Sequence, residues 1–197
     1  MSNKKVIREF FIKDEILGEV AKNCPLPTLN IYGKRGSYLA LIEAIISQQL
    51  SPIAATKIYE RFENEVKIKN IPQYVSRLKI EDLRKMGIST SKCQCIIELS
   101  KKVAFLELNL NKIKELSNEE IISKLTKIKG IGVWTVYMFL IFGLKREDIW
   151  PFNDYGIRKK LSILLKRDKI LSFDETKKIG EKWIPYRSYA SCYLWEI

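Results

Sequence analysis

Residues 129–135 read Lys-Gly-Ile-Gly-Val-Trp-Thr, and the fold class turns on those two glycines. A Gly-x-Gly can belong to a dinucleotide-binding unit, but that unit needs a strand before the first glycine and a third glycine three residues after the second. Here a capping box, Ser117-x-x-Glu120, opens a helix ahead of the pair, and position 135 is threonine. What remains is a hairpin of two helices over about residues 118–143. Gly130 is expected to end the first helix and Gly132 to begin the second. Unsatisfied N–H groups at such a helix start, with no Cβ in the way, receive an anion such as phosphate. Taken by itself, the same turn also serves as an ordinary connection between helices.

Outward from the hairpin the pattern stays helical. Tyr38, Leu41, Ile42, Ile45 and Ile46 recur at the spacing of one helix face. Ser51-Pro52 closes that helix and opens another, with proline at the first helical position. The segment Glu81 to Met86 ends at Gly87, and Ser89 to Ser91 can cap a helix whose apolar face is Cys93, Ile96, Ile97 and Val103. Ser172-x-x-Glu175 is a second capping box. Strict two-residue alternation is scarce, so the fold class is all-α. No linker or low-complexity tract divides residues 1–197, which predicts one domain of two helical lobes flanking a cleft, built from interleaved segments.

A chain of 197 residues with 46% hydrophobic content can bury a core of its own. Lysines and arginines number 35 against 23 acids, a formal charge of +12 that favours a polyanionic partner such as nucleic acid. With no histidine, proton transfer near neutral pH falls to carboxylates, lysines, tyrosines or thiols. Cys24, Cys93, Cys95 and Cys192 form no C-x-x-C pair and no framework spacing. They argue against a disulfide scaffold or a zinc site, and for buried thiols in an intracellular protein. The early charges of the N-terminus and the short apolar runs fit neither a signal peptide nor a membrane span, so no membrane partner is expected.

Past the hairpin, Ile149-Trp-Pro-Phe-Asn-Asp154-Tyr-Gly-Ile places an aspartate between an irregular stretch and a helical pattern. Such an aspartate is a helix N-cap, a role compatible with stabilising positive charge on a substrate. The combination of Lys-Gly-Ile-Gly-Val-Trp-Thr, then Asn153-Asp-Tyr-Gly-Ile157, then Lys182-Trp-Ile-Pro-Tyr-Arg-Ser-Tyr-Ala190 resembles the helix-hairpin-helix DNA glycosylases, specifically their 3-methyladenine branch. The stretches Ile45 to Ile58 and Gly87 to Lys92 are similar to that branch too. The resemblance covers roughly residues 15–197, in order.

The resemblance implies a monofunctional enzyme of base excision repair, acting as a monomer on double-stranded DNA with a damaged base, without cofactor or catalytic metal. Such enzymes flip an alkylated purine out of the duplex and hydrolyse its N-glycosidic bond. Some members hold a monovalent cation on carbonyls of the hairpin. Asp154 takes the matching catalytic position, where an ionised carboxylate lowers the barrier to an oxocarbenium-like sugar. Trp134, Tyr155 and Trp195 match pocket positions at which aromatic faces attract a cationic base. Met138 stands where some members place a tyrosine, which leaves the lesion range open. Gln49 matches the residue that fills the hole left by the flipped base, with Leu50 beside it. Gly130, Gly132 and Lys129 would meet a backbone phosphate. Arg187 and Ser188 match a family segment near the pocket and are counted among the DNA-binding residues, with Arg187 read as the partner of a carboxylate. Each residue also has a plainer reading, as core aromatic, helix cap or solvated glutamine.

Two rival functions stand beside this one. A bifunctional glycosylase/lyase needs a lysine nucleophile, and the position where those relatives carry it holds Trp134. A non-catalytic DNA-binding module could use the same hairpin, but has no need of an acid at Asp154.

Overall fold

The computed structural model of the chain describes residues 3–29, 36–67 and 70–197, and among these there is no strand. The α-helices are α1 Lys4–Ile12, α2 Gly18–Asn23, α3 Ser37–Ser47, α4 Pro52–Glu65, α5 Ile71–Val75, α6 Ile80–Lys85, α7 Thr90–Ala104, α8 Asn118–Leu125, α9 Val133–Met138, α10 Tyr155–Leu164, α11 Phe173–Gly180 and α12 Arg187–Glu196. They fall into two compact units, one formed by Met1–Ile31 with Lys145–Ile197 and the other by Tyr32–Leu144. No helix among the described residues is long and apolar enough to cross a membrane.

In the Tyr32–Leu144 unit, α3 is the central helix, packed against α4, α7 and α9. Its Leu41, Ile42, Ile45 and Ile46 are at most 1% exposed, as their spacing predicts, but Ala40 and Ala44 are fully buried as well. The helix is enclosed on more than one face because the small alanines let neighbours come close. Each buried leucine or isoleucine contributes about 1.5–3 kcal/mol, so this helix holds the unit together. Tyr38, on the same face, shares a 2.7 Å hydrogen bond with Ser100 Oγ.

Local chemistry sets several helix starts. Ser51 Oγ accepts from the Ala54 N–H, and Pro52 sits at the first helical position of α4. At α8 the Glu120 N–H donates to Ser117 Oγ at 3.1 Å while the Ser117 N–H donates to Glu120 Oε2 at 2.8 Å. Ser89 does occupy the N-cap of α7, but its hydroxyl pairs with Ser91 Oγ rather than with a backbone amide.

Two features of the hairpin differ from the sequence expectation. The first helix ends at Leu125, not at Gly130: the Thr126 hydroxyl donates to the Ile122 carbonyl at 2.7 Å, and tight turns fill residues 126–130. After Met138 the apolar run continues as a π-helical turn, Phe139–Gly143, closed by the Leu144 N–H on the Phe139 carbonyl at 3.0 Å.

In the other unit α10 packs against α11 and α12, and α1 against α2. Helix α12 is the most enclosed, with Ser188, Ala190, Ser191, Tyr193 and Leu194 fully buried. The Phe11 and Tyr193 rings meet edge-on at 5.4 Å, and Trp150 and Trp183 do so at 5.2 Å. The four cysteines are unpaired thiols. Burial raises the Cys95 and Cys192 thiols to about 12, so both stay protonated and inert.

Candidate functional site

The Met1–Ile31 and Lys145–Ile197 unit carries Asp154, Tyr155, Arg187, Ser188 and Trp195. The chain enters α10 through a tight turn in which the Asp154 N–H donates to the Pro151 carbonyl. Asp154 is the N-cap, extended at φ −68°, and its Oδ1 accepts from the Ile157 N–H at 2.8 Å. The same oxygen accepts from Trp195 Nε1, brought by α12, at 3.1 Å. Two donors from two elements on one oxygen fix the rotation of the carboxylate. Gly156 leaves the room this arrangement needs, because a Cβ there would lie 3.1 Å from Asp154 Oδ1 and 3.7 Å from Trp195 Cδ1. Tyr155, one residue past the cap, is 62% exposed.

Trp195 thus has a second role besides the expected aromatic one: its indole N–H holds the acid. Arg187 grips Asp148 with both ends of its guanidinium, Nε to Oδ1 at 2.6 Å and an Nη to Oδ2 at 2.8 Å. Ser188, expected among the DNA contacts, is fully buried. Its hydroxyl donates to the Arg146 carbonyl at 2.6 Å and accepts from the Ile149 N–H at 2.9 Å. With both lone-pair and proton engaged inside, this side chain has no reach to a duplex. Arg187 and Ser188 instead fasten the segment 146–149 that leads into Asp154.

The Tyr32–Leu144 unit carries Gln49, Leu50, Lys129, Gly130, Gly132, Trp134 and Met138. The two hairpin glycines do different things. Gly130 has φ +95°, and a Cβ there would lie 2.9 Å from the Cβ of Cys95 on α7, so both backbone angle and packing require glycine. Gly132 is extended, caps α9, and faces open space, so nothing in the fold itself needs glycine there. Beside Gly130 lies a groove of about 630 Å³ lined by Ser91, Gln94 and Glu98 with three lysines, Lys102, Lys127 and Lys129. Trp134 is half-buried on α9, whereas Met138 is 4% exposed and packed into the core. A buried thioether there fills space and offers little to a ligand.

Gln49 and Leu50 form the tip between α3 and α4, both exposed, with Gln49 in the left-handed region at φ 54°. Two residues that local sequence did not single out hold this tip. Gln48 Nε2 donates to the Gly130 carbonyl at 2.9 Å and to Thr135 Oγ1 at 2.8 Å. Lys92 Nζ, from α7, donates to the carbonyls of Ile46 at 2.8 Å and Gln48 at 2.6 Å. The Gln48 pairing spans more than 80 positions, beyond any local signal. Gly156 escaped notice for a related reason, since its tight approach to Asp154 Oδ1 depends on the carboxylate's rotation, which Trp195 helps to set.

Residues 42–186 match the model of the HhH-GPD superfamily base excision DNA repair protein. A DNA-3-methyladenine glycosylase 1 from Schizosaccharomyces pombe is 36% identical over 169 residues, covering 83% of this chain and 73% of that protein. A DNA-3-methyladenine glycosylase from Bacillus subtilis is 28% identical over 215 residues, 98% of this chain and 71% of the relative. Another Bacillus subtilis relative is 33% identical over 165 residues, and there the chain spans only 58% of the relative's length. Among solved structures, the Schizosaccharomyces pombe 3-methyladenine DNA glycosylase in complex with abasic DNA superimposes with a TM-score of 0.87 at 32% identity, over 97% of this chain and 95% of that one. The glycine hairpin and the capped aspartate therefore sit in a chain that belongs to the HhH-GPD superfamily of base excision DNA repair proteins.

Proposed function

We infer that this protein is a monofunctional DNA glycosylase that hydrolyses the N-glycosidic bond of alkylated purines, 3-methyladenine and 7-methylguanine, flipped out of duplex DNA. The observation that carries the reading is Asp154, an aspartate held at a helix start by two donors on one oxygen. Its relatives named as DNA-3-methyladenine glycosylases give the substrate class.

Alkylation at N3 or N7 makes the purine cationic and a good leaving group. As the C1′–N bond breaks with its electron pair passing to the base, positive charge develops on the sugar. An ionised Asp154 beside the sugar stabilises that charge and orients water, whose oxygen adds to C1′ as its proton is released to solvent. Fixed electrostatic groups of this kind contribute roughly 3–4 kcal/mol. Trp134 and Tyr155 offer aromatic faces to the cationic base, Gln49 and Leu50 fill the vacated stack, and the hairpin with Gly132 and Lys129 receives a phosphate. Trp134 stands where lyases of the superfamily carry their lysine, which favours hydrolysis over strand cutting. Residues 1–197 are read as one glycosylase domain. The protein works inside the cell, wherever its DNA is.

The test is release of 3-methyladenine or 7-methylguanine from methylated duplex DNA by the purified chain. Asp154→Asn should release base at least ~100-fold more slowly while still binding abasic DNA. Full activity of that variant would remove the mechanism.

A further inference from the structure

We propose that Gln48 and Lys92 are positioning residues for base flipping, locking the Gln49–Leu50 tip to the glycine hairpin so that the two act as one rigid tool. The inference rests on the glycosylase reading above, and it assigns a role to side chains that touch neither base nor sugar.

The tip needs such a device. Helix α3 ends at Ser47, where the Gln48 and Leu50 N–H groups donate to the Ile45 and Ser47 carbonyls at 3.3 Å each, while the Ile46 carbonyl of the same turn is met by a side chain. Gln49 sits at φ 54°, a backbone region that costs a non-glycine residue about 1–2 kcal/mol and persists only where the surroundings impose it. Lys92 supplies that constraint from one side, with its ammonium on two carbonyls at the end of α3, those of Ile46 and the C-cap Gln48. A cation on the C-terminal carbonyls of a helix is electrostatically favourable as well as a hydrogen-bond donor. Gln48 supplies it from the other side, with both of its amide contacts on the hairpin and the helix that follows it, at Gly130 and Thr135.

The chemistry of the chain makes this coupling useful. Extruding a base costs a few kcal/mol in lost stacking and pairing, and a plug recovers part of that only if it is already placed when the base leaves. A tip that wandered relative to the phosphate anchor would have to be ordered at the same moment, at about 0.5–1.5 kcal/mol for each side chain immobilised. Tying the tip to the hairpin removes that ordering from the flipping step. The loss of the tie should therefore slow flipping and leave bond cleavage alone.

The experiment compares two substrates under single-turnover conditions. In one, the methylated purine sits in a fully paired duplex; in the other, the same lesion lies in an unpaired bulge, where extrusion is already done and no stack needs a plug. Lys92→Met keeps the aliphatic stem and removes the three donors. It should release base from the paired duplex about tenfold more slowly, the effect of a lost charged hydrogen bond, and from the bulge within about twofold of the unmodified protein. Lys92→Arg, which can still reach two carbonyls, should restore most of the paired-duplex rate. Gln48→Met should show the same selective defect, and carries the test if Lys92→Met does not fold. Equal slowing on both substrates, or no slowing on either, would overturn the proposal. Failure of the unmodified protein to release base from either substrate would instead overturn the glycosylase reading.

Discussion

The indole N–H of Trp195 and the backbone N–H of Ile157 both donate to Oδ1 of Asp154, at 3.1 and 2.8 Å. One oxygen of the acid is thereby held from α12 and from its own helix. An aromatic pocket residue that also orients the carboxylate can be divided by substitution. Trp195→Phe keeps an aromatic body and removes the donor, so base release should slow about tenfold, the effect of losing one hydrogen bond to a charged group. Affinity for abasic duplex should not change. An unaltered single-turnover rate would show that the indole only packs.

Gly156 occupies the second position of α10, where alanine is the better helix former by roughly 0.5–1 kcal/mol. Its missing Cβ is nonetheless what leaves room for Asp154 Oδ1, 3.1 Å from where that Cβ would be. Gly156→Ala should therefore melt at the same temperature as the unmodified protein or slightly higher, yet release base more slowly because the carboxylate has been pushed. A parallel fall in melting temperature and rate would point to general damage instead.

The hairpin glycines should part company in the same way. Gly130→Ala forces a side chain into φ +95° and against Cys95, which should destabilise the fold by at least about 1–2 kcal/mol. Gly132→Ala meets open space at an ordinary backbone angle, so the melting temperature should stay nearly constant. Its affinity for abasic duplex should fall, because a methyl group then stands where a phosphate approaches. Equal affinity in Gly132→Ala and the unmodified protein would move the phosphate elsewhere.

What could be seen in the sequence follows the range of each interaction. The starts of α8 and α11 were legible because Ser117 with Glu120 and Ser172 with Glu175 settle them within four residues. Asp154 at the start of α10 was legible for the same reason. The end of α8 was not, since Thr126 to Lys129 look helical and no glycine or proline marks the exit at Thr126. The π turn at Phe139–Gly143 gave no sign because the run is apolar throughout and carries no period. Side chains paired across the fold were the least visible. Gln48 and Gln49 are indistinguishable locally, yet one is tied to Gly130 and the other is exposed. Nothing near Ser188 reveals that its hydroxyl closes on Arg146 and Ile149.

At the start of α11 the Ser172 amide and hydroxyl both donate to Glu175, and these bonds hold its carboxyl below the ordinary value of 4.5. A carboxyl depressed in the folded state adds stability that is present above its unfolded value and is lost as pH falls through the folded one. Glu175→Gln should therefore melt below the unmodified protein at pH 7, and the gap should close as the pH is lowered past about 4. A gap that persists at pH 3 would mean that shape, not charge, makes the cap.

Arg187 and Lys129 are both cations in family-like segments, but their surroundings assign them opposite uses. Arg187 is paired in two places with Asp148, and both side chains are about two-thirds buried, with 28% and 32% of their surface exposed. Removing the guanidinium leaves a partly buried carboxylate alone, so Arg187→Ala should lose about 1–3 kcal/mol of stability and several degrees of melting temperature. The salt dependence of DNA binding should keep its slope in that variant. Lys129 is exposed beside Gly130, in a groove shared with Lys102 and Lys127. Lys129→Ala should leave melting unchanged and reduce the slope of log affinity against log salt by about 1, the signature of one released counterion. If Arg187→Ala flattened the slope and Lys129→Ala did not, the DNA-facing cation would be Arg187 after all, and the ion pair with Asp148 would have to open when the duplex binds.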